Sequence, residues 1–146
     1  MKGVAQILKA KPDRTVYTIR PDETVYEAVK KMADKGIGAL LVTEGDRTTG
    51  IVTERDYARK IVLAGRSSKE TPVSVIMTRD VLCVSPQQTN EECMALMTEN
   101  RVRHLPVLDR GKLIGLVSIG DLVKDIISEQ QFIIEQLEHY IAGDRG

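Results

Sequence analysis

The chain repeats itself. Laid on itself at an offset of 65 residues, residues 16–62 align with 81–127 without a gap. Identities fall at Val16/Val81, Pro21/Pro86, Thr24/Thr89, Glu27/Glu92, Met32/Met97, Leu40/Leu105, Val42/Val107, Gly50/Gly115, Val52/Val117, Asp56/Asp121 and Ile61/Ile126. Other apolar positions match in kind, as with Ile19/Val84, Ile37/Val102 and Ile51/Leu116. Self-similarity at a fixed offset marks a duplicated structural unit. A unit of about fifty residues buries too little surface to stand alone, so the two copies are expected to pack as a pair.

Each copy carries the same element pattern. A short apolar run (16–19; 81–84) stops at a proline, which cannot donate to a strand ladder, and reads as a first strand. Thr24 with Glu27, and Thr89 with Glu92, have capping-box spacing and open a helix. In the first of these, Val25, Ala28, Val29 and Met32 recur at helical spacing and form one buried stripe. Two strands follow, 39–43 with 48–53 and 104–108 with 113–118, joined by polar turns at 44–47 and 109–112. A second helix closes each copy, giving a βαββα unit.

A shorter echo precedes each copy, at 4–9 and 73–78, now offset by 69, so four residues within 10–14 are additional in the first. The polar stretch ending at Pro72 suits a linker. These features divide the chain into repeat 1 (4–66), a linker (67–72), repeat 2 (73–130) and a C-terminal helix extension and tail (131–146). The extension continues a helix with Ile126, Phe132, Ile133, Leu137 and Tyr140 on one side.

Composition removes several function classes. Lys and Arg number 21, against 21 Asp and Glu, so the basic surplus that neutralises nucleic-acid phosphates is missing. With four Tyr, one Phe and no Trp, stacking platforms for bases are equally unsupported. The apolar runs fall far short of the roughly 20 residues of a membrane span, and the N-terminus lacks a secretory signal pattern, which leaves a cytoplasmic address by default. Cys83 and Cys93 have neither CxxC spacing nor a histidine cluster nearby, so no metal site or disulfide framework is expected.

Four segments carry a family likeness: 50–56 (Gly-Ile-Val-Thr-Glu-Arg-Asp), 115–121 (Gly-Leu-Val-Ser-Ile-Gly-Asp), 73–78 (Val-Ser-Val-Ile-Met-Thr) and 101–107 (Arg-Val-Arg-His-Leu-Pro-Val). With them the chain resembles the cystathionine-beta-synthase (CBS) domain pair, or Bateman module, in its stand-alone bacterial form. The resemblance implies an α+β fold in which the tandem βαββα repeats pack face to face with pseudo-two-fold symmetry. It also implies a non-catalytic regulatory sensor that binds AMP, ADP, ATP or NAD(H) in clefts between the repeats, needs no metal, and dimerises into a flat disc. A homodimer, a nucleotide ligand and an effector protein that reads the module are the implied partners; nucleic acid and membrane are not.

The motif chemistry agrees with that expectation. Thr53 and Ser118 lie where a strand gives way to a helix, and free first-turn amides there favour a phosphate. Asp56 and Asp121, being anionic, suit ribose hydroxyls instead. The Thr/Ser-x-x-Asp pattern is equally a capping box with no ligand at all. Ile37, Gly38 and Ala39, with residues 102–106 including Pro106, can form the apolar slot an adenine needs. The resemblance places basic side chains at the phosphate, which selects Arg103 and His104; their counterparts Gly38 and Ala39 make the two sites unequal. Arg55 is another phosphate candidate, where repeat 2 has Gly120. Thr18 and Cys83 occupy strand positions that in the family meet the base or ribose, and Cys83 lacks the hydroxyl of Thr18. His139, late in the last helix, suits the helix dipole.

Two other function classes compete. An enzyme would have to use Ser118 with His104, for which the sequence places no orienting carboxylate, nucleophile elbow or phosphate-binding glycine loop. A pure interaction module would leave the clefts empty and work through the C-terminal helix.

Overall fold

The computed structural model describes residues 3–141 and is a mixed α+β chain with two small sheets. In chain order the elements are α1 (Val4–Ala10), β1 (Thr18–Ile19), α2 (Val25–Lys35), β2 (Ala39–Glu44), β3 (Arg47–Thr53), α3 (Glu54–Tyr57) continued by a π-helical turn (Ala58–Val62), α4 (Val73–Ile76), α5 (Asn90–Asn100), β4 (His104–Asp109), β5 (Lys112–Ser118) and α6 (Ile119–Ile141).

The two spatial units are not the two sequence repeats. One unit is the continuous stretch Thr15–Leu82; the other combines residues 3–14 with 83–141. The boundaries read along the chain, 4–66 and 73–130, therefore cut across both units. The short helix that opens each repeat is built into the other repeat's unit. Helix α4 lies with repeat 1, where the Val73 and Ser74 amides donate to the carbonyls of Glu23 and Pro21 at 2.8 and 3.0 Å. Helix α1 lies with repeat 2, where the Val4 and Ala5 amides donate to Gln88 and Pro86 at 2.8 and 3.1 Å. Helices this short do not persist in water and hold only through packing. Val4 and Ile7 are buried in one unit, and Val73, Ile76 and Met77 join the core of the other.

The stretch 67–72 is equally structural. The Ser68 and Thr71 carbonyls accept from the Tyr26 and Val25 amides, both at 2.9 Å, and so satisfy donors that the first turn of α2 leaves unpaired. Helix α6 runs 23 residues without interruption through residue 131; positions 142–146 lie outside the described residues.

Within the Thr15–Leu82 unit, β1 pairs parallel with β2, and β2 pairs antiparallel with β3. Thr24 caps α2 by accepting the Glu27 amide, and Gly36, at φ +65, ends it in the left-handed conformation. Val25, Ala28 and Met32 pack with Leu40, Val42 and Val52 in the core. Gly50 faces Met77 and Thr78 closely: a Cβ there would stand 2.8 Å from the Thr78 carbonyl oxygen and 2.9 Å from Met77 Sδ.

The second unit holds β4 antiparallel to β5 and a reciprocal Thr89–Glu92 capping box on α5. The strand expected over 81–84 shrinks to a single parallel bridge, Val84 to Val107. Pro106 is the reason. Its counterpart Leu41 donates its amide to the Tyr17 carbonyl at 3.2 Å and extends β1, but proline has no N–H to offer Leu82. Among the described residues no helix is long and apolar enough to cross a membrane.

Candidate functional site

In both units the strand-to-helix signature folds into the same closed motif. Thr53 Oγ1 accepts from the Asp56 amide at 3.1 Å, and Asp56 Oδ2 accepts from the Thr53 amide at 3.0 Å and from its hydroxyl at 3.1 Å. Asp121 Oδ2 accepts from the Ser118 amide at 2.8 Å, and Ser118 Oγ accepts from the Asp121 amide at 3.1 Å. The following amides are also engaged, Glu54 with the Gly38 carbonyl at 3.0 Å and Ile119 with the Arg103 carbonyl at 2.8 Å. Of the first-turn amides expected to meet a phosphate, those of Glu54, Asp56, Ile119 and Asp121 thus already have partners, which moves much of that charge to side chains.

Each carboxylate also has a lysine that sequence reading did not single out. Lys60 Nζ stands 3.0 Å from Asp56 Oδ1 and donates to the Ile76 carbonyl at 2.8 Å. Lys11 Nζ stands 3.0 Å from Asp121 Oδ2 and donates to the Leu116 carbonyl at 2.8 Å. The two cations are not equivalent by repeat. Lys60 aligns with Asp125, and Lys11 lies in the four-residue addition, so repeat 2 obtains its counter-charge from a segment outside the duplicated part. The spacing of Lys60 four residues after Asp56 was the one available signal.

The other candidates fall into place by unit. Ala39 and Thr53 are register partners across β2 and β3, and Thr18 is paired with Leu41. Ile37, Gly38 and Glu54 line a cleft of about 280 Å³ with Met32 and Ala33, so two residues of the expected adenine slot border open space. Arg55 is exposed. In the other unit His104 pairs with Ser118 and Pro106 with Leu116 across β4 and β5, and Arg103 is exposed beside them. Cys83 is half-buried, and burial pushes its thiol pKa up, away from the reactive thiolate.

Burial lowers the His104 imidazole below its ordinary value of 6.5; the Asp121 carboxylate pulls it back up, while Lys11 and Arg103 push it down. The structure therefore does place a carboxylate near the Ser118 and His104 pair. That carboxylate is tied to the Ser118 amide and Lys11, and Ser118 Oγ accepts the Asp121 amide as a helix cap. The pH consequence has a definite sign. With a folded-state pKa below the unfolded one, protonation favours the unfolded chain, so His104 destabilises progressively as pH falls below 6.5. Denaturant titrations at pH 7.5 and 5.5 are expected to show a larger loss at low pH for the native chain than for His104→Gln; equal losses would exclude His104 as the source.

Comparison with known proteins completes the assignment. The CBS domain profile matches residues 4–63 and again 73–128. The mitochondrial CBS domain-containing protein CBSX3 of Arabidopsis thaliana is 46% identical over 127 residues, covering 84% of this chain; the match spans 62% of that longer protein. YhcV of Bacillus subtilis is 33% identical over 115 residues, 79% of this chain and 81% of its own. A solved CBS-domain structure from Burkholderia ambifaria superposes with a TM-score of 0.86 at 66% identity, covering 88% of this chain and 96% of that one. The hexameric CBS-CP12 protein of bloom-forming cyanobacteria reaches 0.74 at 32% identity, with 84% and 70% covered. With both repeats matched and the same fold in its relatives, this chain belongs to the CBS domain family.

Proposed function

We propose that the chain is a non-catalytic regulatory module that binds an adenosine-containing ligand, AMP, ADP, ATP or NAD(H), at the signature motifs of its repeats, and that it works as a homodimer in the cytoplasm. The observation that carries this reading is the pair of immobilised carboxylates, Asp56 and Asp121, each fixed by a capping box and a lysine. A carboxylate has about four acceptor sites, so these bonds leave capacity for a ribose hydroxyl while fixing the orientation in advance. Around Asp121 stand Lys11, Arg103 and His104, and around Asp56 stand Lys60 and Arg55, side chains that can meet phosphate with charge-assisted hydrogen bonds. Self-association is supported by the apolar side chains that α6 leaves exposed, and the CBS-CP12 relative is itself hexameric.

A ligand present at one hundred times its dissociation constant stabilises the folded state by about 2.7 kcal/mol, a melting shift of roughly 5–10 °C. AMP, ATP and NAD are expected to give such shifts where guanine and pyrimidine nucleotides do not. Asp56→Asn and Asp121→Asn keep an oxygen for the cap, so each is expected to retain stability and lose the ligand shift at its own site. Full shifts in both variants would reduce the motifs to helix caps. No shift with any nucleotide would favour the second reading, an interaction module working through α6.

A further inference from the structure

Helix α6 carries a pattern that neither repeat requires. Its inner face is used within the unit: Leu122 and Asp125 are buried, and Asp125 Oδ2 accepts from Asn90 Nδ2 at 2.9 Å. On the outer side Val123, Ile127, Ile134, Leu137 and Ile141 are 41–81% exposed. With Gln130 they follow one another at alternating intervals of four and three residues, the seam of a heptad repeat. Ile127, Ile134 and Ile141 take the a positions and Val123, Gln130 and Leu137 the d positions. The g positions, Ile126, Ile133 and Tyr140, are apolar too, whereas the e positions, Lys124, Gln131 and Glu138, are polar.

That distribution identifies both occupant and direction. A parallel partner sets g against e′, which would place Ile126 on Gln131 and Ile133 on Glu138 of the second copy, apolar on polar at each step. An antiparallel partner sets g against g′ and e against e′. About a two-fold axis near residue 132, every a residue then meets a d residue: Ile134 with Gln130, Ile127 with Leu137, Ile141 with Val123. Ile133 meets its own copy, Ile126 meets Tyr140, and Gln131 meets Gln131. Lys124 lies opposite Glu138, twice by symmetry, so the only charges on the seam's flanks are complementary.

We propose that α6 pairs with α6 of a second copy, antiparallel and centred near residue 132, along a seam of about 28 Å. The proposal rests on the self-association reading above and specifies its surface. Two experiments on the full chain test it. The first is cross-linking with diamide: Gln131→Cys, at the centre, is expected to link copies, and Leu137→Cys, which faces Ile127 of the other copy, is not; the native chain with its own two cysteines is the control. The second is sedimentation equilibrium: Glu138→Lys, an exposed position that leaves the fold alone, is expected to weaken association about tenfold by turning two attractive pairs repulsive, and Lys124→Glu in the same chain to restore it. Linking through Leu137→Cys but not Gln131→Cys would establish the parallel arrangement and overturn the proposal. A native dimer in which neither cysteine links and Glu138→Lys has no effect would overturn the α6 seam while leaving self-association intact, and a monomer at every concentration would overturn both.

Discussion

Deleting residues 3–11 is expected to unfold the second repeat's unit and spare the first's, although in the chain those residues open the first repeat. The deletion removes Val4 and Ile7, which are buried among residues 83–141, together with the amides that satisfy Gln88 and Pro86. It also removes Leu8 from its seat on Gly115 and strips Asp121 of Lys11. Two fully buried aliphatic side chains are worth about 3–6 kcal/mol in transfer terms, and the cavity they vacate adds to that, a loss comparable with the whole stability of a small domain. Hydrogen exchange gives the check. The amides of β4 and β5 are expected to lose protection while those of β2 and β3 keep theirs. Equal loss in both repeats, or loss confined to the first, would contradict the interleaved arrangement.

The second large effect is at Gly50. A Cβ there meets a backbone carbonyl at 2.8 Å, and that carbonyl is held, because Thr78 and Ile51 exchange amide-to-carbonyl bonds of 3.0 and 2.9 Å. Gly115 is hemmed in as tightly, by Leu8 Cδ2 at 2.7 Å, but a leucine tip can turn away. Gly50→Ala is therefore expected to cost about 3 kcal/mol, and Gly115→Ala only about 1 kcal/mol, as overpacking against fixed and movable neighbours. Thermal melts with both variants measure the difference; a Gly115→Ala chain less stable than Gly50→Ala would refute the distinction between backbone and side-chain neighbours. The shared glycine of the two signatures thus has a packing role, as the seat on which the preceding short helix of the other repeat, or its trailing residues, comes to rest.

The sequence and the structure agree where the information is local and repeated. The paired strands, the polar turns, the threonine caps and the βαββα order follow from alternation, spacing and turn residues in each copy. The candidate site residues are legible as a motif because Thr53 with Asp56 and Ser118 with Asp121 recur at one offset. What could not be read depends on distance along the chain or on a single odd residue. Nothing in the composition of 4–10 distinguishes packing on its own repeat from packing on the other. Lys11 has no counterpart in the alignment, so a comparison of repeats passes over it. Pro106 breaks the equivalence of the first strands through one missing amide, and Arg101 ends α5 at φ +54 where Gly36 ends α2, so the glycine that announces one helix end is silent at the other.

The discontinuous unit also has a history in time. On a ribosome adding about 5–20 residues per second, α1 emerges roughly a hundred residues ahead of β4 and β5, and so waits on the order of 5–20 s for the surface that buries Val4 and Ile7. Residues 15–82 lie between and contain every segment of their own unit, so that unit can close while its predecessor is still without a partner. Synthesis therefore favours an order in which the middle of the chain becomes native first and its two flanks are joined last. Slowing translation between residues 83 and 118 would prolong the interval in which α1 is exposed to proteases and chaperones, without changing any contact of the finished protein.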